Sequence, residues 1–140
     1  KDAPTIELVY KLAEIERNGK IFPKMKLSSE KKSFPGKKQV FRISKNGKFV
    51  KDVIGLDGEK FAGEKLLVPI IKKGKLICKM PTLSQIGDYY RKEKLKFDPK
   101  MFSVTKKFDY KVEISKKLLK LTEETRKNIE KVHHGDDLEV

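Results

Sequence analysis

The first 80 residues alternate between short apolar stretches and turn residues, which is the pattern of consecutive β-hairpins. The cleanest alternation is in residues 39–44, where Phe41 and Ile43 share one face of the strand and Arg42 lies on the other. Asn-Gly pairs tolerate the positive φ that a tight hairpin needs, and two of them separate apolar stretches here. The predicted strands are residues 8–16, 22–28, 39–44, 49–56, 66–71 and 75–79, with turns at 17–20, 34–36, 45–48, 57–58 and 73–74.

Helical signals follow the strands. The segment that opens with Thr82 has the form of a capping box, because Gln85 is placed to reach back to the Thr82 N–H group. The apolar face of this helix is predicted to hold Leu83, Ile86 and Tyr90. This element is predicted to end at Asp98-Pro99, and a longer helix capped by Ser115 runs to about residue 132. The predicted class is α+β: an antiparallel β-meander of hairpins (residues 1–81), then two C-terminal helices (82–132) and an acidic tail (133–140).

Composition narrows the class of protein. The chain has 140 residues, with 34 Lys and Arg against 20 Asp and Glu, and a formal net charge of +14. Such a length suits a single domain with one core. No apolar run approaches the roughly 18 residues of a membrane span, so no association with a membrane is expected. A single cysteine, Cys78, excludes an internal disulfide and a cysteine-built zinc site, and this usage fits the cytoplasm.

The basic charge is compatible with a polyanionic partner such as nucleic acid. Nearly all of the basic residues are lysines, however, whereas proteins that read bases favour arginine, whose fork makes two hydrogen bonds to guanine. No recognition helix, zinc finger or aromatic RNA-binding pattern is present. A Lys-rich solvated surface is therefore favoured, and a basic β-rich nucleic-acid-binding module is the alternative.

The residue types that usually carry chemistry form no catalytic pattern. His133 and His134 are adjacent, and neighbouring side chains at a helix end point about 100° apart, which does not suit one metal ion. Cys78 lies in an apolar stretch, which favours a buried structural role. There is no phosphate-binding glycine loop and no nucleophile elbow. We therefore expect neither a catalytic centre nor a metal site in this segment.

Residues 26–42 combine Lys and Ser side chains with a Pro-Gly turn. Pro pre-sets φ and Gly accepts the left-handed conformation, so such a turn can present backbone N–H groups and ammonium charges to a phosphate. A surface turn with ordinary lysines explains the same residues, and on spacing alone that interpretation is favoured. The candidate neighbours of a phosphate site are Lys26, Ser28, Lys31, Lys37, Lys38 and Arg42, around the turn at Pro35 and Gly36.

The same residues resemble the C-terminal part of the nicotinate phosphoribosyltransferase family. The family pattern has Lys-x-Ser, a Lys four residues before Pro-Gly, then x-Lys and an Arg. It is met here by Lys26, Ser28, Lys31, Pro35, Gly36, Lys38 and Arg42. Further stretches follow the family in order: residues 2–4, 9–12, 66–68, 74–76 and 81–83. The resemblance covers residues 2 to about 130.

The resemblance implies an enzyme that makes nicotinate mononucleotide from nicotinate and phosphoribosyl pyrophosphate, coupled to ATP hydrolysis, in cytoplasmic NAD salvage. ATP and Mg would serve the whole enzyme, which usually works as a homodimer, and none would be bound by this segment alone. The family's phosphorylatable histidine, glycine loops and nicotinate-stacking aromatic residues lie upstream. The segment is therefore expected to be structural, with the catalytic barrel and N-terminal region of the same enzyme as its partners.

The first residue, Lys1, is not Met, and the resemblance leads us to expect that the chain begins just after the barrel. If the catalytic part is a separate chain, this one should expose a hydrophobic patch that its partner covers.

Overall fold

In a computed structural model, the chain forms two compact units, one from residues within 1–37 and 116–140 and the other from residues 38–115. The structure describes the backbone of residues 10–28 and 33–135, and the side chains of these residues as far as 131. In chain order the elements are β1 (Glu14–Arg17), β2 (Lys20–Pro23), β3 (Lys38–Lys45), β4 (Lys48–Leu56), β5 (Glu64–Lys65), β6 (Ile71–Lys72), β7 (Lys75–Leu76), α1 (Leu83–Lys94), a 3-10 helix (Pro99–Phe102), β8 (Lys111–Ile114) and α2 (Lys116–Gly135).

The first unit contains the β1–β2 hairpin and helix α2. Asn18 and Gly19 link the two strands at φ angles of 51° and 73°, so the turn has the twist that two-residue hairpin loops need. Helix α2 buries Leu118 and Thr125. The Thr125 hydroxyl donates a hydrogen bond to the Leu121 carbonyl oxygen at 2.7 Å, which satisfies this buried polar group within the helix.

The second unit contains a four-stranded sheet in the order β5-β3-β4-β8. β3 and β4 form a long antiparallel hairpin around Asn46 and Gly47, whose φ angles of 50° and 71° again suit a two-residue turn. A bulge between Ile43 and Ser44 shifts the register of this hairpin by one residue. β8 pairs parallel to β4, so the sheet is mixed, whereas its other strand pairs are antiparallel.

Aromatic side chains fill the core of the second unit. Phe41, Phe49 and Val53 are buried in the β3–β4 hairpin. Phe61 packs on Phe41 with ring centroids 4.9 Å apart, and Phe97 meets the ring of Phe49 edge-on at 4.8 Å. Tilted and edge-on ring pairs stabilise beyond the area that they bury. The core therefore ties the loops after β4 and after α1 to the hairpin.

Helix α1 has the capping box that the sequence predicts. The Gln85 N–H group donates to Thr82 Oγ1 at 3.3 Å, and the Thr82 N–H group donates to Gln85 Oε1 at 2.8 Å. The helix ends at Lys94, four residues before the predicted end. Asp98 instead caps the 3-10 helix, where its carboxylate accepts a hydrogen bond from the Lys100 N–H group at 2.9 Å. No residue of α1 is buried.

The structure confirms the α+β class and the two C-terminal helices, and it moves several boundaries. Residues 8 and 9 of the first predicted strand lie outside the described residues, and β1 begins only at Glu14, opposite Pro23. The long helix begins at the residue after Ser115, as predicted, and continues to Gly135. β8 is absent from the prediction, because a four-residue strand that pairs with a distant partner leaves only a weak pattern in the sequence.

The predicted strand over residues 66–71 is wrong. The Leu66 N–H group still donates to the Val40 carbonyl oxygen at 2.9 Å. The Gln39 side-chain amide then bonds both the N–H and the carbonyl of Leu67, at 2.9 and 2.8 Å, in place of a strand neighbour. Beyond Leu67 the apolar run is exposed, and only Ile71 lies in a strand. The shorter β7 likewise replaces the predicted strand 75–79.

Candidate functional site

The Pro-Gly turn is the best-defined part of the candidate phosphate segment. Pro35 is fully buried, and Gly36 has a φ of 77°, in the left-handed region that glycine adopts without strain. The Gly36 N–H group donates to the Ala13 carbonyl oxygen at 2.7 Å, and the Lys24 N–H group donates to the same oxygen at 2.8 Å. The turn therefore fastens the chain after β2 to the residue before β1.

The backbone of the turn is engaged within the protein. Besides the bond from Gly36, the Lys37 N–H group donates to Glu14 Oε2 at 2.8 Å. These two N–H groups are therefore directed at protein oxygens, and a carboxylate beside them disfavours an anion there. A phosphate near this turn would have to be held by side chains.

The structure assigns the other candidate residues to different surroundings. Lys26 is exposed, and its backbone N–H group donates to Ser33 Oγ at 2.8 Å. Ser28 is half-buried, and Lys31 lies outside the described residues. Lys26, Ser28 and Lys37 belong to the first unit, whereas Lys38 and Arg42 belong to β3 in the second. Their role as phosphate neighbours stays a prediction.

Arg42 is held by a polar cluster that we call the Arg42 cluster, formed by Arg42, Asp52, Tyr110, Phe49 and Phe97. Arg42 lies opposite Asp52 in the β3–β4 register, and Nε and Nη2 donate to the two carboxylate oxygens at 3.0 and 2.9 Å. The guanidinium carbon is 4.8 Å from the Phe49 ring centroid and 5.2 Å from that of Phe97. The Tyr110 hydroxyl donates to Asp52 Oδ1 at 3.0 Å. The cluster thus combines a bidentate ion pair with a third hydrogen bond to the carboxylate and two aromatic rings near the guanidinium.

The electrostatics of the Arg42 cluster indicate a structural role and not a role in proton transfer. The hydrogen bonds to Asp52 raise the pKa of Arg42, so its positive charge is permanent. Burial, helped by the hydrogen bond to Asp52, raises the pKa of Tyr110 to about 12. At neutral pH the phenol is therefore a fixed hydrogen-bond donor, and neither group has the pKa near 7 that a general base requires.

A second carboxylate, Glu59, connects the end of β4 to Ser115, the last residue of the second unit. Its Oε2 accepts hydrogen bonds from the Leu56 N–H group at 2.7 Å and from the Ser115 hydroxyl at 2.6 Å. Gly55 leaves room for this carboxylate, because a Cβ atom there would lie 2.7 Å from Glu59 Oε2. The sequence shows no signal for this contact, since the residues that make it are 56 positions apart.

No group of three or more metal-binding side chains occurs within the described residues. Cys78 is half-buried. Helix α2 continues through His133 and His134, and the acidic tail after Gly135 lies outside the described residues.

In the part of the chain that the structure describes, no helix is both long and apolar enough to cross a membrane.

The fold and the site together define a small α+β module of hairpins, held by an aromatic core and internal ion pairs. Residues 59–122 match the family model "Nicotinate phosphoribosyltransferase C-terminal domain". The chain is 35% identical over 121 residues to nicotinate phosphoribosyltransferase pncB2 of Mycobacterium tuberculosis, strains CDC 1551 and H37Rv, a match that covers 85% of this chain and 25% of the relative. In fold it is similar to human nicotinic acid phosphoribosyltransferase, with a TM-score of 0.57, 19% identity, and coverage of 73% of this chain and 24% of the human one.

These comparisons confirm the resemblance seen in the sequence: the chain is similar to the C-terminal region of nicotinate phosphoribosyltransferases. They also favour this interpretation over a nucleic-acid-binding module. The chain spans about a quarter of the length of the relatives that it matches.

Proposed function

We propose that the chain is the C-terminal, non-catalytic part of an enzyme that forms nicotinate mononucleotide from nicotinate and phosphoribosyl pyrophosphate. The reaction is coupled to ATP hydrolysis and serves NAD salvage. The observation that carries the proposal is the 35% identity over 121 residues to proteins of that name. ATP and Mg bind to the rest of the enzyme, which acts in the cytoplasm as a homodimer. Residues 1–140 together act as one structural domain, and its partners are the barrel and the N-terminal region of the same enzyme.

The contacts of the described residues support a structural role for this part. The ion pair between Arg42 and Asp52, whose side chains are 20% and 12% exposed, joins β3 to β4, and the Glu59 carboxylate joins the end of β4 to Ser115. Groups that are engaged in this way stabilise the domain and are poorly placed to turn over a substrate. The chemistry is therefore carried by the part of the enzyme that this chain lacks.

The direct test is an assay of nicotinate mononucleotide formation by this chain alone, and by this chain together with the catalytic part of the enzyme. We expect no product from the chain alone and product from the combination. Turnover by the chain alone would contradict the assignment of catalysis to the rest of the enzyme. If the catalytic part is equally active with and without the chain, the structural role is wrong.

A narrower test addresses the phosphate-site residues. The variant K37A/K38A in the assembled enzyme should raise the KM for phosphoribosyl pyrophosphate if these ammonium groups border a phosphate site. The control is K106A/K107A, a second pair of adjacent lysines. Both of these lysines are exposed, whereas Lys37 is exposed and Lys38 is half-buried. Equal KM values for the two variants and the unmodified enzyme would leave Lys37 and Lys38 as surface lysines.

A further inference from the structure

Residues 67–90, which we call the apolar segment, expose an unusual amount of hydrophobic surface. Every Leu, Val, Ile, Met and Tyr side chain in this range is exposed, and Val68, Ile71 and Leu83 are 65%, 66% and 88% exposed. Isolated exposed apolar residues are normal, but consecutive ones usually mark a surface that a partner covers. The segment includes the β6–β7 hairpin and the first two turns of α1.

The helix and the hairpin of the apolar segment are both short and exposed. α1 has 12 residues and buries none of them, although isolated helices shorter than about 12–15 residues are marginal in water. β6 and β7 have two residues each and pair only with one another in their sheet, and a lone hairpin is likewise marginal. The capping box nevertheless specifies where α1 begins. A capped helix that has an apolar face but no buried residue is typical of a surface that a partner covers.

The charges around the segment indicate the kind of partner. Residues 67–94 contain seven Lys and Arg against two Asp and Glu. Two copies of this surface would bring like charges together, which disfavours pairing with a second copy of itself. A partner surface that is apolar and bordered by carboxylates would complement both the exposed apolar residues and the positive charge of the segment. About three quarters of the length of each relative has no counterpart in this chain, so a large part of the enzyme is available as the partner.

We propose that the apolar segment 67–90 is the surface on which the remaining part of the same enzyme docks, through an apolar area with an acidic rim. The inference rests on the proposed function and adds the location and chemistry of the contact. It also explains why an apolar run that predicts a buried strand is exposed here, since the burial is supplied by the rest of the enzyme.

Hydrogen–deuterium exchange tests the inference without any substitution. Exchange is compared between the isolated 140-residue chain and the assembled enzyme. We expect the amides of α1 and of the β6–β7 hairpin to exchange at least about tenfold more slowly in the assembled enzyme, while those of β3 and β4 change little, because docking protects only the covered elements. Equal exchange of the α1 amides in both samples would overturn the inference.

The variant L83S/I86S gives a second measurement, with V104S as the control, because Val104 is fully exposed and lies outside the segment. In the isolated chain both variants should leave the thermal midpoint unchanged, since none of the three side chains is buried. In the assembled enzyme only L83S/I86S should lower it. Equal midpoints of the two variants in the assembled enzyme would refute docking at this face.

Two further outcomes separate the inference from the proposed function. An assembled enzyme that protects α1 but forms no nicotinate mononucleotide would refute the proposed function and support the docking surface. An active enzyme in which the α1 amides are not protected would support the proposed function and refute the docking surface. If the isolated chain dimerises in light scattering and L83S/I86S abolishes the dimer, the occupant is a second copy and the inference is wrong.

Discussion

Replacing Arg42 with Met should destabilise the chain by removing one side of the partly buried Arg42–Asp52 ion pair. The side chains of Arg42 and Asp52 are only 20% and 12% exposed. Met keeps an unbranched aliphatic side chain, but it removes both hydrogen bonds, the charge and the guanidinium group that lies over the Phe49 and Phe97 rings. The Asp52 carboxylate then remains buried, with the Tyr110 hydroxyl as its remaining donor within the cluster.

The expected decrease in the free energy of unfolding lies between the values for fully buried and for exposed ion pairs. Breaking a fully buried ion pair costs about 3–5 kcal/mol, because the remaining charge is left without its partner. Exposed pairs contribute about 0–1 kcal/mol. For this partly buried pair, with a cation–π contact also lost, we expect R42M to lower the free energy of unfolding by about 2–3 kcal/mol.

Urea unfolding of R42M, D52N and the double variant at pH 7 measures this loss. D52N removes the charge but keeps an oxygen for the Tyr110 hydroxyl, so the double variant should lose at least about 1 kcal/mol less than the sum of the two single variants. The control is R91M, because the Arg91–Asp88 pair is 68% and 56% exposed and its loss should cost less than about 0.5 kcal/mol. A loss in R42M no larger than that in R91M, or strict additivity in the cycle, would refute the reasoning.

Three further predictions follow from the contacts. A Cβ at Gly63 would lie 2.6 Å from a β3 carbonyl oxygen, so G63A should lower the free energy of unfolding by about 1–3 kcal/mol, while G58A, which meets nothing within 4 Å, should change it little in the same urea experiment. G36V places a β-branched residue at a φ of 77° and should lower the thermal midpoint by an amount equivalent to about 1 kcal/mol or more; an unchanged midpoint would argue against this backbone conformation. Tyr110 should titrate near pH 12 in ultraviolet absorbance, and because its pKa is raised on folding, its contribution to stability is complete below about pH 10 and lost as the pH rises towards 12; a midpoint at 10 would contradict the cluster.

Local sequence signals predicted the hairpins well. Asn18-Gly19 and Asn46-Gly47 both adopt the positive φ angles that their residue types favour, and each lies between the expected strands. The capping box that starts with Thr82 is also formed as its spacing requires. Such signals depend on the conformational preferences of a few consecutive residues, which act before any tertiary contact is made.

The candidate site was less predictable, and Arg42 shows why. Counting back from the two-residue turn at Asn46-Gly47 would put Arg42 opposite Lys51, an unfavourable pair of like charges. The bulge at Ile43/Ser44 shifts the register by one residue and brings Asp52 opposite Arg42 instead. The alternation of apolar and polar residues in β3 predicted the face of the strand on which Arg42 lies. Its pairing with Asp52 depends on the bulge, which that alternation does not predict.

By itself, the sequence determined the α+β class, the turns, the caps and the resemblance to the C-terminal region of nicotinate phosphoribosyltransferases. Only the tertiary structure decided which of its apolar residues are buried. Phe41 and Leu118 are enclosed, whereas the equally apolar run from Leu67 to Ile71 is exposed. The physical reason is that turns and caps are satisfied within a few residues, while burial requires a second surface, and hydrophobicity alone does not specify where that surface lies.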